Sequence, residues 1–263
     1  VPVYPALAAA GFRRWSTYRA ATAAGALTNS VFGALKAAVL TGTVGTAGTV
    51  AGYDAAQAAT FAWVTQALLA PVSVFADDEV ARRVRTGDIA FDLARPVDPQ
   101  LAAWATDLGR AAYTLLPRGL PPLLAGLLLT GLALPATPAP YALGAVGTAL
   151  GVSVSFAARW LVNLTAFWLT EVRGVLLLYT VLATLLTGLT LPVAWFPGWL
   201  QALAAATPFP SMLQTPVDLL LARATGADAL RLVATQLGWL AALLLGGRVL
   251  LAAGARRLVV QGG

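Results

Sequence analysis

The chain has 263 residues, 59% of them hydrophobic and 11% charged, with a mean hydropathy of +0.76 and a formal charge of +6, whereas a soluble domain carries about 25% charged residues. It contains no cysteine and no histidine, which excludes disulfides, thiol catalysis, the commonest zinc ligands and a histidine general base. Apolar runs of about 20 residues recur, long enough to cross a ~30 Å hydrocarbon core as helices and too long for barrel strands, so the fold class is all-α and polytopic.

In chain order, Ala6 to Tyr18 reads as an amphipathic helix lying at the membrane surface, with Phe12 and Trp15 in the headgroup layer and Arg13 and Arg14 toward anionic lipid. The first span, Ala20 to Val44, holds Asn29, Phe32 and Lys36, the only lysine. Its ammonium either snorkels to the interface or faces a polar cavity between helices. The second span, Gln57 to Ala76, contains Trp63 and Gln66.

Asp77 to Pro99 is the most densely charged stretch. Asp77, Asp78 and Glu79 mark the membrane exit. Val80 and Val84, four apart, give a first short helix an apolar stripe flanked by Arg82, Arg83 and Arg85. Gly87 ends it; Asp88 caps a second short helix through Ile89, Asp92 and Leu93; after Arg95, Pro96 stops it. Asp98-Pro99 is a third helix start.

Leu120 to Leu134 offers only 15 residues, about 22 Å of helix, so the third span is expected to begin near Ala111, to kink at Pro121-Pro122, and to send Arg118 to the interface or a buried partner. Span 4 runs from Tyr141 to Leu164, with Arg159 and Trp160 marking its far end; span 5, Gly174 to Leu191, includes Tyr179 and Thr187. From Pro192 to Arg223 the chain is broken by Pro197, Pro208, Pro210 and Pro216, and two short helices dipping into the outer leaflet are expected there. Span 6 is Leu230 to Ala253. With both termini on one side, that side holds Lys or Arg at 13, 14, 19, 82, 83, 85, 95, 110, 118, 159, 173, 248, 256 and 257, or 14 of 17. This distribution places both termini and the charged loop in the cytoplasm.

No GxxxxGK loop is present to bind nucleotide. The carboxylates are read as lying in loops or at helix ends, which weakens an ion-coupled carrier. Transport would then be driven from outside this polypeptide.

Three stretches carry a resemblance: RTGDIAFDLARPVDP at Arg85 to Pro99, ATPFPSMLQTPVDLLL at Ala206 to Leu221, and RRLVVQGG at Arg256 to Gly263. With the surface helix, the six spans and the broken outer segment, the chain resembles the permeases of type-2 ABC exporters, in the branch whose loop reads R-x-G-D-I-x-x-D-L-x-R-P-V-D. The resemblance implies a single permease domain: surface helix 1–19, spans 1–2 over 20–76, a cytoplasmic coupling loop 77–110, spans 3–5 over 111–191, an outer re-entrant segment 192–229, and span 6 with its tail 230–263. It implies a partner ABC ATPase dimer holding ATP and Mg, a second permease, identical or homologous, and a bacterial plasma membrane, with no cofactor on this chain and no nucleic-acid partner. The coupling residues would be Val80, Arg82, Arg83, Arg85, Gly87, Asp88, Ile89, Asp92, Leu93 and Arg95. A path lined by spans 1, 2 and 5 would use Asn29, Phe32, Lys36, Trp63, Gln66, Tyr179 and Thr187, and its apolar lining suits an amphipathic or lipophilic substrate moved outward. Two other readings stand beside this one: a membrane scaffold without a path, and a lipid enzyme built on Asp77, Asp78 and Glu79.

Overall fold

The computed structural model describes residues 3–257; 258–263, which hold most of the last resemblance motif, lie outside the described residues. In order, the helices are α1 Val3–Ser16, α2 Arg19–Ala47, α3 Ala55–Val72, α4 Glu79–Thr86, α5 Ile89–Leu93, α6 Pro99–Thr114, α7 Leu120–Leu129, α8 Ala139–Leu164, α9 Arg173–Leu186, α10 Gly198–Ala205, α11 Phe209–Met212, α12 Gln214–Leu220 and α13 Gly226–Ala255. Among the described residues no strand occurs beyond a single Val50–Tyr53 bridge, so the chain is all-α and polytopic.

Four stretches are long and apolar enough to cross a membrane: Arg19–Gly45, Pro99–Leu129, Ala139–Phe167 and Gly226–Ala255. The two remaining segments of the expected six behave differently. Every residue of α3 from Ala58 to Leu68 is buried, so this helix is the core of the bundle and not a lipid-facing wall. Its start is fixed by a reciprocal cap, in which the Asp54 carboxylate accepts from the Gln57 N–H and the Gln57 side chain accepts from the Asp54 N–H. Helix α9 has 14 residues, about 21 Å, short of the ~30 Å hydrocarbon core, and the chain continues in non-helical form through Gly188 (φ +83°).

Close packing rests on small residues. Trp63 of α3 is fully buried, and its indole fills a slot where any side chain at Gly33 of α2 or Gly126 of α7 would collide with it; its N–H donates to Thr130 Oγ1 at 3.0 Å. On α8, Gly144, Gly147 and Gly151 take Leu220, Leu219 and the Met212 backbone, which seats α11 and α12. Gln236 of α13 donates to the Gly147 and Ser211 carbonyls across the same junction.

Several expected boundaries shift. The third long helix starts at Pro99, not near Ala111, because Asp98 accepts from the Leu101 N–H and proline occupies the first turn. The chain then widens into a π turn at Leu115–Gly119 before α7. Pro117, Pro121 and Pro122 have no N–H to donate to the preceding turn, and the wider turn accommodates them without ending the helix. The outer segment forms three short helices plus a 3-10 turn at Val193–Trp195, more than the expected pair, since each of its prolines starts or interrupts an element.

The expected surface helix α1 is docked on α6. A Cβ at Gly11 would fall within the Thr106 backbone, and one at Gly109 within that of Ala8, so the two helices touch main chain to main chain; Phe12 meets Tyr113 edge to face at 5.4 Å. Gly109→Leu is therefore expected to lower the melting temperature of the detergent-solubilised chain, at a cost of ~1–3 kcal/mol. Gly42→Leu, where nothing lies within 4 Å, is expected to leave it unchanged; equal behaviour of the two variants would remove the crossing from its structural role.

Candidate functional site

A cleft of about 1230 Å³ runs along α2, from the charged loop at the arginine-rich end of the bundle to Leu189 and Leu191 beyond α9. Its floor at the loop end comes from α4, α5 and α6, and its upper walls from α2, α3 and the residues after α9.

The loop that closes the base is held to the bundle at several points. Asn163, in the last turn of α8 and buried, accepts from the Ala81 N–H at 2.9 Å and donates to the Asp77 carbonyl at 2.9 Å, so α4 is bonded backbone-first to α8. Ala81, Val84 and Ile89 pack into a small apolar cluster with Ala166 and Val172. Of the expected stripe Val84 faces this cluster, with Ala81 in place of Val80, which lines the cleft. Gly87 ends α4 in the left-handed region (φ +82°), as its sequence position suggested. Asp88 does not cap α5, because its backbone is already helical and its carboxylate accepts from Thr86 Oγ1 at 2.8 Å.

Beneath the loop lies a charge network that sequence alone did not reveal. Arg159, expected as an end marker of its span, is buried and donates to Asp77 Oδ2 at 2.9 Å and to Asp107 Oδ2 at 3.1 Å. Asp107 also holds Arg110, whose remaining N–H groups donate to the Ala70 and Pro71 carbonyls at 2.8 and 2.9 Å. Those are last-turn carbonyls of α3, which have no partner within their own helix. Loop, α8, α6 and α3 therefore meet in one chain of charge-assisted bonds. The carboxylates were all expected in loops or at ends; Asp107 corrects that, since it lies well inside α6.

The expected coupling residues divide by exposure. Arg83 is engaged within the loop by Asp92 at 2.7 Å, and both line the cleft. Arg85 lies 3.9 Å from Glu171, whose carboxyl is held below its ordinary range by the Arg173 N–H. Arg82 and Arg95 project outward, their side chains 58% and 72% exposed, while Ile89 is buried and Leu93 half-buried. The sequence reading missed Phe91: it stands on the face of α5 opposite Ile89 and is 71% exposed, a large apolar side chain on a highly charged surface.

Asn29, Phe32, Lys36 and Gln66, four of the seven expected path residues, line the cleft. Lys36 does not snorkel. It is drawn inward to Thr65 Oγ1 at 2.7 Å and to the Leu189 carbonyl, with its ammonium 4.8 Å from the centre of the Phe61 ring. Trp63, Tyr179 and Thr187 do not reach the cleft: Trp63 wedges three helices, Tyr179 is buried against Phe209 and Met212, and Thr187 bonds back to the Ala183 carbonyl. None of the three lines the cleft, which spacing alone could not decide.

The three acids at the loop's start diverge. Asp77 faces Arg159, Asp78 faces Arg82 and Arg85, and Glu79 faces Arg14 at 3.1 Å. They do not converge on a common point as a catalytic or metal-binding group would, and among the described residues no three acids come together as a metal site. A second polar cluster at the opposite end joins Tyr53, Gln214, Asp218 and Arg223; burial pushes the Asp218 carboxyl up to about 6.

No curated protein and no solved structure matches the chain. A family profile described as ABC-2 family transporter protein matches residues 35–262, which takes in the charged loop, the buried network and most of the cleft wall. The chain belongs to the ABC-2 transporter family, as the multi-pass membrane subunit of an ABC transporter.

Proposed function

We propose that this chain is the permease of an ATP-driven exporter in a bacterial plasma membrane. It pairs with a second permease, identical or homologous, and with a dimer of separate ATPase subunits that carry ATP and Mg. Both termini and the loop at residues 77–98 face the cytoplasm, and an amphipathic or lipophilic substrate leaves the cytoplasm or inner leaflet through the cleft along α2. The observation that carries this reading is the continuity between loop and cleft: Asp77, Val80, Arg83, Ile89 and Asp92 belong both to the loop expected to meet the ATPase and to the cleft lining. The divergence of the three acids argues against a lipid enzyme.

The exposed side of the loop, Arg82, Asp88, Phe91 and Arg95, forms an apolar knob ringed by charge, which suits a groove on a partner subunit. Movement imposed on α4 and α5 reaches α8 through Asn163, and from there α6 and α3 through Arg159, Asp107 and Arg110. The role of Arg159 depends on two-pronged geometry, which lysine cannot reproduce.

Phe91→Ala is expected to weaken retention of the ATPase about tenfold in a pull-down from mild detergent, the effect of losing one interface anchor. Reversing Arg82 and Arg95 to Glu is expected to lower the association rate and its salt dependence. Full ATPase recovery with all three substitutions would remove this face from the interface. Arg159→Lys is expected to leave the ATPase bound while reducing substrate-stimulated hydrolysis at least several-fold, with a stability loss of ~1–2 kcal/mol; undiminished stimulation would sink the transmission route.

A further inference from the structure

The cleft's charges do not balance within the bundle. Its carboxylates, Asp77, Glu79, Asp92 and Asp107, each face an arginine at the loop end. Deeper in, two cations remain without a carboxylate. Lys36 is met only by a hydroxyl, a carbonyl and an aromatic ring. Arg118 makes no hydrogen bond or ion pair among the described residues, and its Nε is buried without a partner.

Arg118 sits in the π turn between α6 and α7, a local widening often found where a helix serves a site. Its guanidinium lies across Gly25 of α2, where any side chain would overlap it. Gly25 thus provides a seat for the guanidinium, which lines the cleft about 9 Å along α2 from its first residue. Between Arg118 and Lys36 the wall carries Asn29 and Gln66, and the Gln66 side-chain amide makes no hydrogen bond among the described residues. Beside this polar track run Phe32, Leu35 and Val39, all exposed and apolar.

We infer that the Arg118 pocket is the headgroup site for a membrane-borne amphiphile bearing an anionic group, phosphate or carboxylate, whose apolar part lies along Phe32, Leu35 and Val39. This rests on the transport reading and gives its substrate a sign of charge. An unpaired guanidinium inside a helical bundle is costly, and a planar fork of donors suits an anionic oxygen pair better than any neutral head.

The test uses the full chain in phosphatidylcholine nanodiscs, titrated with three amphiphiles of equal chain length: dodecyl phosphate, dodecyltrimethylammonium and dodecyl maltoside. Dodecyl phosphate is expected to bind about tenfold tighter than the other two, and Arg118→Gln to abolish the preference, as loss of one charge-assisted contact requires. Arg118→Lys, which keeps the charge and loses the fork, is expected to keep only part of it. Inorganic phosphate at equal concentration is expected not to compete. Equal binding of the three amphiphiles, tighter binding of the cation, or an unchanged preference in Arg118→Gln would each overturn the inference, as would full competition by inorganic phosphate, which would make the site one for a free anion. The wild-type comparison stands even where a variant fails to fold. Because no ATPase is needed, failure here leaves the transporter reading to its own test, recovery of the ATPase with the permease.

Discussion

The arrangement of the loop end depends on Arg159, a buried guanidinium held between Asp77 and Asp107. Removing an arginine from water carries a penalty of several kcal/mol, repaid only when its donors meet well-placed acceptors. Here one carboxylate comes from the start of the loop and the other from α6, so folding the charge inside requires both to be in register with α8. Asp107 in turn commits Arg110 to the last carbonyls of α3. Four segments far apart in sequence are fixed by one electrostatic requirement, and none can shift independently without exposing a buried charge.

The opposite end is held by other means. Glycines at 144, 147 and 151 let α8 accept the broken outer helices at backbone distance, and Gln236 bonds two carbonyls across the junction. That contact is neutral, short-range and shape-dependent. The loop end is cross-linked by charge and the other by close packing beside the Asp218–Arg223 pair, so α3, α6 and α8 are held as one unit. Helix α2 meets this unit without ion pairs, through the Trp63 slot at Gly33, the Asn29 bond to the Gln66 carbonyl and the Lys36 bond to Thr65, and it forms one wall of the cleft.

Local signals were legible in the sequence where chain neighbours decide the outcome. Gly87 adopts the left-handed conformation that ends α4, Asp98-Pro99 starts α6, and Asp54 with Gln57 would have fixed α3 had the pair been read as a capping box. What remained hidden depends on partners far along the chain. Asp107 and Arg159 are 52 positions apart, and either alone in an apolar stretch reads as a helix end. Phe91 illustrates a subtler limit. Whether it or Ile89 faces inward on a five-residue helix depends on where Ala166 and Val172 come to rest, and no periodicity exists over so short a run. The π turn was hidden for a related reason: prolines announce a disturbance, but the wider turn brings Gly119 against the Ala67 carbonyl of α3, a partner 52 positions away.

The position of Arg118 connects these observations. A helix that stopped at Pro121 would have left this guanidinium at a free end, in water, where its charge has little effect. By continuing through the π turn, the chain carries Arg118 into the bundle and turns it onto Gly25, away from the carboxylates that pair with the cleft-lining arginines nearer the loop. Asp107 is already committed to Arg110 and Arg159, so it cannot also serve Arg118. The network that makes the loop end rigid therefore consumes the available anions at the base of the cleft and leaves its deeper part positive. Rigidity at the loop end and positive charge in the cleft above it follow from the same distribution of Asp and Arg.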